Sequence, residues 1–293
     1  MTTIITVTGR TPGIGKTSVA VNLAATLAEH YQERVLLVDL GQNETLLEQF
    51  GYARTDFPYS LEELIQRNAQ DFDTHILRPT ERLHLLSGRE PSSRDVLDSV
   101  RSLVSLIFLL EREHGWTGDD RLAHFLPDEK ITRDWLRNLL QSLANEYDFI
   151  LFDGARNTEI LTWCACSLSQ IILIPDGLNL SEIQEMKLTI DVIAMLALVY
   201  QLEPPRQQQR ILRHKTVLST KYEDTLYAET ARGLFLTTQI RASPLLSNQR
   251  KEPLKFPVLE SPTSSLAKDY KALVKQLEQL IARSNNSVGA TSC

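Results

Sequence analysis

The sequence lacks the cysteine content on which disulfide-stabilised folds depend. Its 293 residues include three cysteines, at positions 164, 166 and 293, with no second Cys/His pair at the spacing of a metal site. We therefore expect Cys164 and Cys166 to be buried thiols. No apolar stretch reaches the roughly 18 residues that a membrane span needs. The N-terminus also lacks the basic-then-apolar pattern of a signal peptide. These absences favour a cytoplasmic protein.

An overall excess of basic charge is also missing, because 31 Lys and Arg residues stand against 37 Asp and Glu residues. The charge is nevertheless unevenly distributed. The range 204–283 has 14 basic and 7 acidic residues, whereas the rest of the chain has 17 and 30. The C-terminal third could therefore meet a polyanion, or its charges could be scattered and solvated.

Apolar segments of strand length alternate along the chain with segments of helical periodicity. Strands are predicted over 4–8, 34–39, 83–87, 149–153, 171–175, 213–220 and 234–240, and helices over 17–29, 95–114, 131–145, 181–200 and 265–283. This alternation predicts an α/β fold with a mostly parallel β-sheet and helices on both faces. We expect one domain over 1–283, with a helical insertion around 88–147, and a disordered tail over 284–293.

A glycine-rich segment, GRTPGIGKTS, lies between the first predicted strand and the first predicted helix. A phosphate-binding loop (P-loop) needs this context, because glycines turn backbone N–H groups toward phosphates and a helix N-terminus favours negative charge. The strict pattern has glycine at position 10, where this chain has Arg10, so a glycine-rich turn without a ligand is the alternative. The predicted ATP contacts are Thr11, Pro12, Gly13, Ile14, Gly15, Lys16, Thr17 and Ser18.

Two predicted strands end in a carboxylate, Asp39 and Asp153. Ligands of open parallel sheets gather at the carboxyl ends of the strands, so both side chains should lie near Lys16. Lys16 would reach the β- and γ-phosphates, and Thr17 would bind Mg²⁺. Asp39 and Asp153 would hold Mg²⁺ through its waters or orient the attacking water. Helix capping is the alternative role for each aspartate.

The order and spacing of these segments resemble the ParA/MinD group of P-loop ATPases. The similar segments are TGRTPGIGKTSVAVNLAATLA, RVLLVDLGQNET, YDFILFDGARN, IILIPDGLNLSEIQ, TVLSTKYED, QIRASPLLSNQ and SPTSSLAKDYKALVKQL. The resemblance implies an ATP-dependent homodimer with ATP between the subunits. It also implies binding to nonspecific double-stranded DNA and positioning of a plasmid, chromosome or large assembly over the bacterial nucleoid. An adaptor protein would stimulate hydrolysis.

This sequence departs from the family pattern at two functional positions. The family's second loop lysine, which contacts the ATP of the opposite subunit, is replaced by Thr11. The second acid of its first switch segment is replaced by Gly41, which puts normal hydrolysis in doubt. Loss of that lysine resembles the McdA branch, which distributes carboxysomes. Arg10 or Lys187 is a candidate replacement cation, although Lys187 could be an ordinary solvated lysine.

The basic C-terminal third supplies the predicted DNA contacts, which are Arg210, Arg213, Lys215, Arg241, Arg250 and Lys251. Arg241 is also a predicted nucleotide contact. Such residues would bind phosphates without sequence preference. The apolar stripe of the last predicted helix is expected to pack on the sheet and not on a membrane.

Two other functions stay open on the sequence. The first is a regulatory module that binds ATP but hydrolyses little of it, because Gly41 lacks a carboxylate. The second is a metabolic P-loop enzyme, although no metal-ligand cluster or small-substrate constellation favours it. ATP turnover with and without DNA distinguishes these functions from a positioning ATPase.

Overall fold

The computed structural model describes ten continuous ranges and eight separate positions. These are residues 2–9, 11–40, 44–57, 75–87, 127–154, 160–176, 208–214, 235–241, 243–248 and 253–289, with 59, 61, 64, 67, 185, 186, 189 and 190. The helix predicted over 95–114 lies outside them, as do most of the helix predicted over 181–200 and the rest of the insertion before residue 127.

Eight strands of the described residues form one sheet. They are β1 (Thr3–Val7), β2 (Val35–Asp39), β3 (Ile76–Leu77), β4 (Leu83–Leu86), β5 (Phe149–Asp153), β6 (Ile171–Asp176), β7 (Gln208–His214) and β8 (Phe235–Ile240). Their order is β3-β4-β2-β5-β1-β6-β7-β8. Every neighbouring pair is parallel except β3 and β4, which are antiparallel. The predicted mostly parallel sheet is confirmed.

Seven helices accompany the sheet in the described ranges. They are α1 (Lys16–His30), α2 (Glu44–Phe50), α3 (Pro127–Leu143), α4 (Ile160–Leu168), α5 (Pro244–Asn248), α6 (Pro257–Glu260) and α7 (Ser265–Gly289). A 3₁₀ turn covers Arg54–Asp56. Since parallel strands need crossover connections, the helices between them cover the faces of the sheet.

The central strand β2 shows why both faces are covered. All five of its residues are buried. Val35 and Leu37 pack in the cluster that contains residues of α1 and α7. Leu36 and Val38 pack in the cluster that contains residues of α3 and α4. Because successive strand residues point to opposite faces, a continuous apolar strand requires two apolar layers.

The last helix, α7, packs on the sheet as the sequence predicted. Leu266, Tyr270, Leu273, Val274 and Leu277 are buried in the α1 cluster. Gln276 Oε1 accepts a hydrogen bond from the backbone N–H of Thr238 on β8, at 3.0 Å. The helix therefore covers the sheet and also occupies a polar group of its edge strand. No helix in the described part of the chain is long and apolar enough to cross a membrane.

The sequence did not predict the short elements β3, α2, α5 and α6, and three further elements differ from the expectations. The tail expected to be disordered from residue 284 instead continues α7 to Gly289, since extending an anchored helix costs little. The strand predicted over 213–220 is wrong in its start, because β7 begins at Gln208 and pairs with β6 from Ile171 onward. Pairing with β6 decides where this strand starts, because strand formation depends strongly on its context. The sequence also did not predict α4, whose Cys164 and Cys166 are buried thiols outside any disulfide, as expected.

Gly154, directly after β5, has no room for a side chain. A Cβ there would lie 2.7 Å from the carbonyl oxygen of Val7 and 3.1 Å from side-chain carbons of Thr8 and Thr162. We expect Gly154→Ala to lower the free energy of unfolding by about 1–3 kcal/mol, because backbone would have to move. Urea unfolding without nucleotide measures this change.

Gly9→Ala is the matched control at the end of β1. Its Cβ would meet nothing closer than the Pro175 carbonyl oxygen at 3.7 Å, and its φ is not positive. The control should change the free energy of unfolding by less than about 1 kcal/mol. Equal losses in the two variants would contradict the packing argument.

Candidate functional site

The sheet order brings the glycine-rich loop and both strand-end aspartates to one edge. Strand β5 lies between β1 and β2. In this register Asp153 is opposite both Val7 of β1 and Asp39 of β2. The loop follows β1 directly. The strand pairing therefore brings Lys16 and the two aspartates to the same carboxyl edge of the sheet, as expected.

The loop between β1 and α1 has the backbone that phosphate binding requires. Gly13 and Gly15 have φ values of 70° and 100°, which residues with a Cβ rarely adopt. Gly15 is the N-cap of α1, and its carbonyl accepts the N–H of Val19 at 2.8 Å. The first N–H groups of any α-helix have no acceptor within the helix itself, and this end of a helix favours a bound anion.

The predicted nucleotide contacts differ in solvent exposure: one is buried in the core and the others are exposed or partly exposed. Ile14 is 3% exposed and fixes the loop on the core. Pro12 and Gly13 are exposed. Thr11 and the four residues 15–18 are partly exposed. The loop is thus held at one apolar position while its remaining backbone can be reached from outside.

The ammonium group of Lys16 lies over its own loop. Lys16 Nζ donates a hydrogen bond to the carbonyl oxygen of Thr11 at 3.1 Å. Its charge also acts on Asp153, where it opposes the rise in pKa that burial causes. Lys16 is therefore positioned between the loop backbone and the aspartates, where a cation can reach bound phosphates.

Asp39 and Asp153 form a buried carboxylate pair. They are 1% and 3% exposed. Ser87 Oγ donates a hydrogen bond to Asp39 Oδ2 at 2.9 Å. Thr17 supplies a side-chain hydrogen bond to Asp153, whereas Asp153 Oδ1 is buried without a hydrogen-bond partner in the described part of the chain. Burial, and after it the charge of Asp39, raises the pKa of Asp153 to about 8; Thr17 and Lys16 oppose this rise.

These residues fit a magnesium ion that is shared with a nucleotide. A buried carboxylate oxygen without a partner lies beside a threonine hydroxyl, and both are oxygen ligands of the kind Mg²⁺ prefers. No group of three His, Cys, Asp or Glu residues suited to a metal occurs among the described residues. Few protein ligands are needed, since Mg²⁺ keeps several waters and is completed by phosphates.

Ser87 is a site residue that the sequence reading missed. It directly follows β4, the neighbour of β2, and is 1% exposed. The rule that located the aspartates, polar residues at the carboxyl ends of parallel strands, would also have identified Ser87. The same signal applies to Asp176, which ends β6.

Arg241 lies at the end of β8, three strands away from β1. Its guanidinium bonds Asp269, with Nη2 2.6 Å from Oδ1, and hydrogen bonding to Asp269 raises the pKa of Arg241. The structure therefore gives it an intramolecular partner, while its predicted nucleotide and DNA contacts stay predictions. Arg210 and Arg213 belong to β7, but their side chains are not described. Lys187, Lys215, Arg250 and Lys251 lie outside the described residues.

Comparison with known proteins agrees with this geometry. Residues 2–200 match a family model described as an AAA domain. Over 195 residues the chain is 27% identical to the chromosome partitioning protein ParA of Myxococcus xanthus (strain DK1622), which corresponds to 65% of this chain. The chain spans 58% of the length of that relative.

Two solved structures have a similar fold. Apo McdA from Cyanthece has a TM-score of 0.69 and 14% identity, with 94% of this chain and 100% of that chain covered. Cobyrinic acid a,c-diamide synthase from Mycobacterium smegmatis, with a bound ATP analog and magnesium, has a TM-score of 0.62 and 18% identity; 93% of this chain and 92% of that chain are covered. At these identities the likeness shows the fold alone.

The parallel sheet, the loop before α1 and the strand-end aspartates define a P-loop nucleotide-binding protein of the ParA/MinD fold. The match over residues 2–200 shows that the chain belongs to the AAA-domain family, and its likeness to a partitioning protein makes it a ParA-like member. The resemblance read from the sequence motifs is confirmed.

The raised pKa of Asp153 predicts a pH-dependent stability. Between its ordinary pKa and about 8, the folded chain holds a proton that the unfolded chain has lost. The free energy of unfolding therefore falls as pH rises through this window. In magnesium- and nucleotide-free buffer, Asp153→Asn should be more stable than the native chain at pH 8, by on the order of 1–4 kcal/mol. This advantage should shrink toward pH 5, as measured by urea unfolding.

Asp148→Asn is the control with the opposite sign. Asp148 lies just before the same strand, and hydrogen bonding to Arg34 lowers its pKa. Its substitution should reduce stability at pH 8, and the loss should disappear as pH falls through the lowered pKa. A stability difference for Asp153→Asn that does not vary with pH would contradict the buried-pair interpretation.

Proposed function

We propose that this protein is a ParA-type ATPase that binds Mg-ATP, dimerises around the nucleotide and positions a cargo on the nucleoid. The observation that carries the proposal is the buried pair Asp39–Asp153 beside the P-loop lysine. A buried carboxylate pair costs free energy unless a proton or cation accompanies it. Mg-ATP supplies such a cation at this edge.

Each loop residue has a defined role in this proposal. The N–H groups from Gly13 to Ser18 bind phosphate oxygens, and Lys16 exchanges the Thr11 carbonyl for the β- and γ-phosphates. Thr17 gives its hydroxyl to the ion, while Asp153 and Asp39 bind the waters of the ion. Magnesium would neutralise phosphate charge during hydrolysis.

Hydrolysis is expected to be slow. Gly41 stands where the family has its second acid, and Ser87 already binds one oxygen of Asp39. Asp39 would have to serve both the ion shell and the attacking water. A regulatory module with very little hydrolysis is therefore the alternative function.

A second cation is needed for a family-type dimer, because Thr11 replaces the lysine that would reach the opposite nucleotide. Arg10 and Lys187 remain the candidates, and neither is among the described residues. In the proposed dimer one of them takes over that contact. Unchanged ATP-dependent dimerisation of Lys187→Ala would remove Lys187 from consideration.

Nonspecific double-stranded DNA is the proposed binding surface on the nucleoid. The basic balance of 204–283 supports it, and Lys268, Lys275 and Arg283 are exposed on α7. The partitioning role of the Myxococcus relative supports a cargo, and the fold shared with McdA makes a carboxysome one candidate beside a plasmid or chromosome. An adaptor protein would link the cargo and stimulate hydrolysis.

The fold alone would also accommodate a metabolic enzyme, since a cobyrinic acid a,c-diamide synthase shares it. Such an enzyme consumes ATP together with a small substrate. A positioning ATPase turns ATP over without one and responds to DNA. The requirement for a second substrate therefore separates the two functions.

The proposal is tested by sedimentation velocity and ATP hydrolysis in the same samples, with ADP or ATP and with or without nonspecific duplex DNA. We expect a monomer with ADP and a dimer with ATP. The dimer should bind DNA, with affinity falling steeply as salt rises, because phosphate contacts release counterions. Lys16→Ala should lose nucleotide binding and, with it, dimerisation.

Some results of this experiment would contradict a positioning ATPase. A chain that stays monomeric in ATP and ignores DNA is not a positioning ATPase. If it still binds Mg-ATP, the regulatory module is the correct function. Binding of DNA that persists in Lys16→Ala would show that the basic surface acts independently of nucleotide.

A further inference from the structure

Helices α1 and α7 are joined by two tyrosine hydroxyls, one near each end of α1. Near its start, Tyr270 of α7 donates a hydrogen bond to the carbonyl oxygen of Ser18 at 3.2 Å. Just after its end, Tyr31 donates to the carbonyl oxygen of Lys271 at 3.2 Å. The two bonds have the same chemistry and length, but only the first reaches the helix turn that follows the loop.

The Ser18 carbonyl belongs to the first turn of the phosphate-binding helix. The same peptide unit carries the N–H of Val19, which donates to the carbonyl of Gly15 at 2.8 Å. Gly15 is the N-cap residue, and its carbonyl is part of the peptide that carries the N–H of Lys16. A bond that fixes the Ser18 peptide therefore also orients, through one hydrogen bond, an N–H group of the loop.

Tyr270 is held firmly enough to act as an anchor. Its side chain is 0% exposed and packs in the core cluster shared by α1 and α7. The preceding residue, Asp269, binds both the backbone N–H and the guanidinium of Arg241. Burial, and after it the charge of Asp269, raises the pKa of Tyr270, so the hydroxyl stays protonated and remains a donor.

We propose that Tyr270 is a positioning residue for the phosphate-binding loop, acting through the Ser18 carbonyl without touching the nucleotide. The inference rests on the proposed nucleotide binding and adds a residue outside the loop. Asn22 Nδ2 also donates to the Ser18 carbonyl, at 2.8 Å. Removal of the tyrosine hydroxyl therefore loosens the first turn without leaving its carbonyl unsatisfied.

The test compares Tyr270→Phe with Tyr31→Phe. Each substitution removes one hydroxyl that bonds a carbonyl across the same helix pair. Calorimetric titration with Mg-ADP and with Mg and a nonhydrolysable ATP analogue measures affinity. Thermal unfolding without nucleotide measures the structural loss. Amide hydrogen exchange of residues 16–22 reports the first turn directly.

We expect Tyr270→Phe to raise the Kd of both nucleotides by about threefold to tenfold, the range of one hydrogen bond. Tyr31→Phe should leave Kd within about twofold of the native value. It should lower the Tm about as much as Tyr270→Phe does. Exchange in the first turn of α1 should be faster in Tyr270→Phe only. Equal Kd values in the two variants, with equal exchange, would overturn the inference.

Failure of the proposed nucleotide binding can be distinguished from failure of the positioning role of Tyr270. If the native chain binds neither nucleotide, the nucleotide-binding proposal fails and the Kd comparison cannot be made. The exchange experiment still decides whether Tyr270 orders the first turn. Unchanged exchange in Tyr270→Phe would then reject the positioning role independently.

Discussion

Two carboxylates buried side by side are the constraint around which this structure is arranged. Asp39 and Asp153 are opposite each other on adjacent parallel strands, which lie about 4.8 Å apart, and both are almost fully buried. Two such groups cannot both be ionised in a dry site without a nearby cation. Ser87, Thr17 and Lys16 satisfy part of this requirement. The negative charge that they leave uncompensated requires a proton or a divalent ion.

The scaffold keeps this strained pair in place from several directions. Gly154 allows β5 to turn within 3 Å of the backbone of β1, where a Cβ would not fit. The anchored Ile14 fixes the loop, and α7 holds the first turn of α1 through Tyr270. A site that is costly for the folded chain therefore depends on packing supplied far from the loop, which is the usual arrangement at functional sites.

The sequence predicted the strands near the site well, because β2, β5 and β6 are buried apolar runs and β1 consists of β-branched residues. It placed Lys16 at the site from the glycine-rich loop pattern, and Asp39 and Asp153 from their positions at strand ends. It failed where tertiary contacts decide: β7 begins in glutamines, and α4 has almost no polar face. Ser87 follows the same strand-end rule as the aspartates, although no motif pointed to it, whereas the role of Tyr270 depends on helix packing, which local patterns do not encode.

The departures from the family pattern are consistent with slow hydrolysis and need not mean that function has been lost. In the proposed function, with Gly41 in place of an acid and one Asp39 oxygen bound by Ser87, this edge would hold Mg-ATP better than it would activate water. A protein that remains in its ATP state for a long time suits a role in which release depends on a partner. Slow intrinsic turnover is then part of the proposed function, because the lifetime of the bound state sets how long a cargo stays attached.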